Sequence, residues 1–393
     1  MRILMILEVD FPPDDRVEKE ALSLTEAGYI VDIACYTLSG KPKFESHKGI
    51  GIFRKPINKF IYKSSAACLL LPFYFKFWKK FLTKLLKSDT YDVIHVHDLP
   101  LSKLAVQLSK KFGLKLVFDQ HEYYSSWIVH TAHYRKGLGK IINYLSNWDK
   151  YEKKYLPQAD IIITVEEPLR QNYIKKTGLD SEKIICVPNT PLERVFNPNN
   201  VDQEITNKYQ GQYILFYAGG LDRLRGLEIP LKALPGLKSA IPNMKLILAG
   251  RLSKGFDLFG LIGELRIKDV IEYHPWIDSK KIPSYLAVTQ IGFFTPPGNR
   301  DEIHNTIATK IYQYLSMNVP VIVSDVKLMK QFVLKHQIGL IANNETEFAE
   351  RVIDLFKHPE KREELVANCR KYTTTYTWEN TIKLLLEKYK QLA

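Results

Sequence analysis

Short runs rich in Ile, Val and Leu recur along the whole chain, with helical patterns between them. In the first half they fall at Ile3–Val9, Ile30–Cys35, Gly51–Arg54, Val93–His97, Lys115–Asp119, Ile161–Val165 and Ile184–Val187. In the second half they fall at Tyr213–Ala218, Lys245–Ala249, Val270–His274, Ile291–Phe294, Val319–Ser324 and Gly339–Ala342. Strands this apolar are buried on both faces, and strands that alternate with helices need crossover connections. The pattern therefore predicts parallel sheets covered by helices on both sides. The 393 residues exceed one ordinary core, since single domains hold about 100–200 residues. The segment 188–200, rich in Pro and Asn, separates the halves. The predicted fold class is α/β: two tandem Rossmann-like, doubly wound domains, residues 1–190 and 191–376. Their ligand site is expected in an interdomain cleft at the carboxyl ends of the strands.

Local signals agree with this reading. Val17, Ala21 and Leu24 form an apolar stripe that ends at Gly28, the glycine expected just past a helix end. Asn344 and Glu347 have the spacing of a capping box before the stripe Phe348, Val352, Leu355. The apolar start Ile3–Leu7 runs straight into Glu8 and Asp10, so it reads as a buried strand and not as a signal peptide. The run from Ala66 to Phe75 is far short of the roughly 20 residues that span a bilayer as a helix. Cys35, Cys68, Cys186 and Cys369 lie far apart with no C-x-x-C pair, which fits a reducing, cytoplasmic setting and argues against a disulfide framework or a zinc site.

The net charge of +13 is concentrated: from Arg54 to Lys87 there are nine basic residues and no acidic one, interleaved with Phe60, Tyr62, Phe73, Phe77, Trp78 and Phe81. Cations among large apolar side chains suit an anionic membrane surface or a phosphorylated acceptor, and residues 57–87 are the expected contact. A solvated basic face beside ordinary core aromatics is the alternative. Nucleic acid is not the expected partner, since no recognised binding module accompanies the charge.

The sharpest chemical element is Tyr217-Ala-Gly-Gly-Leu-Asp-Arg-Leu-Arg-Gly226, which follows a strand and leads into an apolar stripe at Leu227, Leu231 and Ala233. A glycine turn in that place brings backbone N–H groups to a phosphate at a helix N-terminus, with Arg223 and Arg225 to neutralise it. A plain strand-to-helix turn is the other reading. His121 stands at a strand end beside Asp119 and Glu122. His95 and His97 share one strand face, with Asp98 after them. Asp15-Arg16 either meets an acceptor phosphate or caps the first helix. No D-x-D occurs, so the carboxylate pair of a metal-bridged diphosphate is missing, and neither a metal nor a separate cofactor is expected.

Taken together, Phe11-Pro-Pro-Asp-Asp-Arg-Val17, Asp92-Val-Ile-His-Val-His-Asp98, Asp119-Gln-His-Glu122, Val187-Pro-Asn189, the Gly219–Gly226 turn, Leu246-Ile-Leu-Ala-Gly250, residues 310–325 and Tyr376-Thr-Trp-Glu379 resemble the family 4 retaining glycosyltransferases of GT-B fold. The resemblance implies a nucleoside-diphosphate sugar as co-substrate on the second domain and a glycan or lipid-linked acceptor on the first. The final helix, 377–393, then packs back onto the first domain. It implies catalytic roles for His121, Arg225 and Lys310. Donor contacts are implied for Gly219, Gly220, Arg223, Arg225, Gly250, Trp276, Ile277, Asn305, Lys310 and Gln313. Acceptor contacts are implied for Arg16, His97, Asp98 and Glu122. Trp276 either stacks on the nucleobase or packs between domains.

The sequence departs from that pattern at Gly220, where the family has an arginine, and at Asn305 and Gln313, where it has two glutamates. Gln313 can still accept from a ribose hydroxyl, though without the charge-assisted bond. The expected activity is retaining, metal-independent sugar transfer in cell-surface polysaccharide or glycolipid synthesis, by a protein held peripherally at the inner membrane face. A nucleotide-sugar epimerase, or a donor-binding but catalytically weak partner subunit, are the competing readings.

Overall fold

The computed structural model describes residues 1–121, 124, 145–299 and 301–392, without the side chains of 145, 146, 301 and 302. The chain divides into two compact units: residues 1–189 with 382–393, and residues 190–381.

The first unit is built on an eight-stranded sheet. Its strands are β1 (Arg2–Leu7), β2 (Ile30–Thr37), β3 (Phe44–His47), β4 (Ile50–Pro56), β5 (Val93–His97), β6 (Lys115–Gln120), β7 (Ile161–Thr164) and β8 (Ile184–Cys186), in the spatial order β3-β4-β2-β1-β5-β6-β7-β8. All neighbours run parallel except β3 and β4. The central strands are buried along their length, as their unbroken apolar runs require. Strand β3 has no counterpart in the sequence reading. Its Phe-Glu-Ser-His composition is that of a half-exposed edge. It is held by a tight hairpin at Lys48 and Gly49, which both have positive φ, 52° and 85°, as a two-residue turn of this hand requires.

The helix Asp15–Glu26 starts at Asp14, whose side chain accepts from the Val17 N–H at 3.0 Å. Asp14 is therefore the cap, and Arg16 points inward. Helix Phe73–Ser88 buries Tyr74, Phe77, Trp78, Leu82, Leu85 and Leu86 on one face and leaves its lysines on the other. Of the aromatics Phe77, Trp78 and Phe81 in the segment expected at a membrane, some of which a helix must bury, Phe77 and Trp78 are core residues and Phe81 is partly buried, because the helix needs that face to close the hydrophobic cluster over the sheet. At the other end of the chain, helix Lys383–Leu392 lies against this same unit. It buries Leu385 and Tyr389, and the Tyr389 hydroxyl is 2.8 Å from His95 Nδ1. Residues 377–381, expected to go with that helix, stay with the second unit, where the Trp378 N–H donates to Pro191 O at 2.8 Å.

The second unit holds a six-stranded parallel sheet of β9 (Tyr213–Ala218), β10 (Met244–Ala249), β11 (Ile271–His274), β12 (Thr289–Phe294), β13 (Val321–Val323) and β14 (Gly339–Ile341), in the order β11-β10-β9-β12-β13-β14. Numbered within the unit this is 3-2-1-4-5-6, the doubly wound order whose direction reverses between its first and fourth strands. The reversal puts a crevice at the carboxyl ends of β9 and β12. Asn344 caps helix Glu345–Lys357 by accepting from the Glu347 N–H, and the Glu347 carboxylate reaches back to the Asn343 N–H at 2.9 Å. Both arms of the expected cap form, with the return arm one residue earlier than in the usual box.

Candidate active site

In the second unit the residues picked out in the sequence converge on that crevice. After β9 the chain turns at Gly219 and Gly220 and passes through a short 3-10 turn, Arg223–Arg225. It then enters helix Glu228–Ala240 through Gly226. Gly226 has φ +72°, and a Cβ there would lie 1.6 Å from Thr295 O. Only glycine lets the turn sit this close to the end of β12. Gly250 packs as tightly, since its Cβ would meet Gly219 O at 1.8 Å. The loop after β10 is thereby pressed against the first turn. The helix that follows has no side-chain cap, so its N-terminus keeps the positive end of the dipole open to an anion.

Lys310, in the first turn of helix Thr309–Ser316, reaches under this loop. Its Nζ donates to Ala218 O at 3.2 Å and lies 3.6 Å from the ring centroid of Tyr217 and 4.8 Å from that of Phe294. Burial, with the charge of Arg225 adding to it, holds this amine well below the usual lysine range. Gln313 follows one turn later on the same helix and is half-buried. Arg225 is about half exposed, with Nε 3.9 Å from Asp222 Oδ2, and Arg223 is more exposed, paired to Glu228 at 3.1 Å. Trp276, after β11, is 74 % exposed, and Ile277 packs partly on the core. Asn305 ends the 3-10 segment Asp301–Asn305. The loop, Gly250 and Lys310 thus meet at the switch point of the sheet, with Gln313 one turn further along the helix that carries Lys310.

The first unit holds a buried polar cluster that the sequence only hinted at. Asp119, near the end of β6, is its centre. It accepts from Arg16 Nη2 at 3.0 Å and Nε at 3.2 Å, and its Oδ2 lies 3.0 Å from His97 Nδ1 and 3.2 Å from His121 Nδ1. Burial disfavours its charge, but Arg16 and the histidines outweigh that and hold the carboxyl well below the usual range. Arg16 also donates to Val187 O at 3.1 Å and sits 3.0 Å from Glu20 Oε1. Burial, with the Asp119 charge beside it, pushes Glu20 up. His95 stacks on His97 at 4.6 Å and is driven well below its ordinary value by burial and by that neighbour.

These positions correct two expectations. Arg16 and His97 are buried and committed to Asp119, so neither can touch an acceptor. Glu122 lies outside the described residues. Glu20, His95, His97 and Asp119 bring four ligand-type atoms within 4.8 Å of one another, a donor set that suits a divalent ion. The Arg16 guanidinium, 3.0 Å from both carboxylates, already supplies positive charge there. The cluster is therefore an ion network in which Arg16 balances Asp119 and Glu20. Arg16 and Glu20, four apart on one helix face, were the signal available in the sequence.

Two members of this group reach solvent. His121 Nε2 is 3.3 Å from Asp98 Oδ1, and Asp98 adopts φ +67°, a left-handed conformation that turns the chain at the end of β5. Burial opposes charge on His121, yet Asp98 and Asp119 push it up to about 10, so it is an imidazolium at neutral pH. Glu8, just past β1, was missed in the sequence. Burial pushes it up to about 8 against a hydrogen bond with Tyr74, and Asp98 adds to the rise. Glu8, Asp98 and His121 stand past the carboxyl ends of β1, β5 and β6, beside the point where this sheet's order reverses. The His121 imidazolium has Asp98 against it, and Glu8 lies close enough to Asp98 to feel its charge, a polar set suited to hydroxyl groups of a sugar.

A sheet order of 3-2-1-4-5-6 with a glycine turn and a lysine at its switch point, preceded in the sequence by a second doubly wound unit, is the two-domain arrangement of the GT-B fold. Comparison with known proteins agrees. The family described as Glycosyltransferase Family 4 matches residues 17–190, and Glycosyl transferases group 1 matches residues 199–372. A D-inositol 3-phosphate glycosyltransferase of Arthrobacter sp. (strain FB24) is 22 % identical over 319 residues, 76 % of this chain and 70 % of that protein. Among solved structures, the sucrose-phosphate synthase of Thermosynechococcus elongatus superposes with a TM-score of 0.74 at 17 % identity, covering 100 % of this chain and 98 % of the other. Anabaena HepE in complex with UDP gives 0.74 at 13 % identity, covering 100 % of both. The chain belongs to the family 4 glycosyltransferases and has the GT-B fold. It is a transferase, and the epimerase reading is not favoured.

Proposed function

We propose that this enzyme moves a sugar from a nucleoside-diphosphate sugar to a glycan or lipid-linked acceptor in cell-envelope polysaccharide or glycolipid synthesis. Configuration is retained and no metal takes part. The observation that carries the reading is the crevice of the second unit. There a glycine turn, an uncapped helix N-terminus and Lys310 meet at the carboxyl ends of β9 and β12. A diphosphate on that turn is neutralised by the helix dipole, Arg225 and Lys310, which stabilise it as a leaving group without a cation bridge. Gln313 accepts from the ribose, and the exposed face of Trp276 is available to the base. The His121 imidazolium donates to a hydroxyl of the reacting sugar, while Asp98 and Glu8 hold the acceptor. HepE, a fold neighbour, binds UDP, which favours a uridine donor.

In this reading the enzyme works peripherally on the cytoplasmic side of a membrane, which the exposed lysine face of helix Phe73–Ser88 supports. Among the described residues no helix is long and apolar enough to cross one. The test is a panel of nucleoside-diphosphate sugars scored by thermal stabilisation and by nucleotide release with and without lipid-linked acceptors. One donor should stabilise the protein and release nucleotide faster with acceptor. Stabilisation by none of them would remove the donor-site assignment. Tight donor binding without turnover under any acceptor would favour the partner-subunit reading instead.

A further inference from the structure

Exposed large apolar side chains are scattered singly over most of the described surface, but five fall within the fourteen residues from Phe60 to Phe73. Phe60 is 65 % exposed, Leu70 60 %, Leu71 43 % and Phe73 42 %. They lie on the short helix Lys59–Ser64 and on the turn that leads into helix Phe73–Ser88. The turn does not separate them, because the rings of Phe60 and Phe73 lie 5.4 Å apart at 61° and so make one projecting apolar tip. Tyr74, Phe77 and Trp78, a step further along, turn into the core. The tip is thus what remains of the aromatic run once the fold has taken the side chains it needs. A contiguous exposed apolar patch of this kind marks an interaction surface.

Its surroundings say what it meets. Lys59, Lys63, Lys76, Lys79 and Lys80 are exposed around it, and no acidic residue occurs between Arg54 and Lys87. Beside the tip a cavity of about 270 Å³ is walled by Leu70, Leu71 and Phe75 and edged by Lys76, Lys79 and Lys103. Apolar side chains bounded by ammonium groups match the layering of an anionic bilayer. The hydrocarbon groups pass below the phosphates, and the lysine stems lie along the boundary with their charges at phosphate level. A neutral protein partner would not call for an unbroken cationic rim.

We propose that Phe60, Leu70, Leu71 and Phe73 insert into the headgroup–acyl boundary of an anionic phospholipid membrane, with Lys76, Lys79 and Lys80 on its phosphates. The inference rests on the peripheral-membrane reading above and goes further by naming an inserted tip. That tip precedes the helix, whereas the helix face carrying Phe77 and Trp78 stays in the protein.

The experiment is co-sedimentation of the full chain with phosphatidylcholine vesicles, with and without phosphatidylglycerol. Two variants are compared, Leu70→Ser/Leu71→Ser/Phe73→Ser and Lys76→Gln/Lys79→Gln/Lys80→Gln, with thermal stability and UDP affinity as checks on folding. Both should keep UDP affinity and lose vesicle affinity by about tenfold or more. In addition, Leu71→Trp should shift its emission to the blue on anionic vesicles. If the serine variant binds like the unchanged protein and the Leu71→Trp emission does not move, the tip does not insert, though a purely electrostatic membrane contact survives. If the unchanged protein binds no vesicle, the membrane reading falls with it; if it binds neutral and anionic vesicles equally, the lysines do not meet lipid phosphates and the proposal of an anionic surface is overturned. UDP affinity reports on the transferase reading separately.

Discussion

Replacing Lys310 with methionine tests the donor site directly, because methionine keeps an apolar stem of similar length and removes the amine with its one hydrogen bond. The Lys310 Nζ packs over Tyr217 and Phe294 and touches one carbonyl, Ala218 O. A Cβ on Gly219 would stand 3.0 Å from that nitrogen, so the amine lies directly against the glycine turn. A charge-assisted bond of this kind is worth about 1.5–3 kcal/mol, or roughly 10- to 150-fold in affinity for UDP. The free protein holds the amine well below its ordinary 10.5. The unfolded chain therefore binds a proton that the folded protein disfavours, and stability rises with pH between the folded value and 10.5. Two consequences follow from that sign. Lys310→Met leaves the melting temperature unchanged or raises it at neutral pH, while UDP affinity falls. In the unchanged protein, UDP binding favours the protonated form of Lys310, so proton uptake accompanies binding at pH values between the pKa of the free protein and that of the complex. Titration calorimetry in two buffers of different ionisation enthalpy shows this as net proton uptake, and the uptake disappears in Lys310→Met. A methionine variant that binds UDP as tightly as the original, with the same proton uptake, would refute the assignment.

Gly226→Ala places a Cβ against Thr295 O in a left-handed conformation, which costs about 1–2 kcal/mol before the clash is counted. Thermal melts should show lower stability together with weakened UDP binding. Gln313→Glu restores a carboxylate to the ribose position and should keep or strengthen donor affinity; a folded variant that binds UDP much more weakly would mean the amide serves a different ligand pose. Transfer should survive exhaustive chelation, and loss of turnover that a single divalent ion restores would overturn the metal-free reading. His121→Phe should lower the transfer rate far more than UDP affinity, since His121 lies in the first unit and the diphosphate site in the second; equal losses in both would remove His121 from the sugar.

The sequence alone determined the two sheets, because a strand buried on both faces has no freedom to be polar. Each apolar run from β1 to β14 announced itself except β3, whose edge position lets it carry Glu45, Ser46 and His47. It also placed the glycine turn, since Gly226 has no substitute where a Cβ would overlap a backbone oxygen. What it could not supply was direction. Arg16, His97 and His121 are all polar groups near strand or helix ends, and nothing local says which face solvent. The reach of Arg16 from helix Asp15–Glu26 to Asp119 on β6, and of His97 to the same carboxylate, decides that the first two are locked to Asp119 and that only His121 and Asp98 reach outward. The same holds for the basic aromatic segment. Its composition is uniform along the sequence, but helix periodicity turns Phe77 and Trp78 into the core while Leu70, Leu71 and Phe73 stay out. Apolar burial fixes which segments pair, whereas the fate of each polar or surplus apolar side chain depends on neighbours distant in sequence, and only the folded chain brings those together.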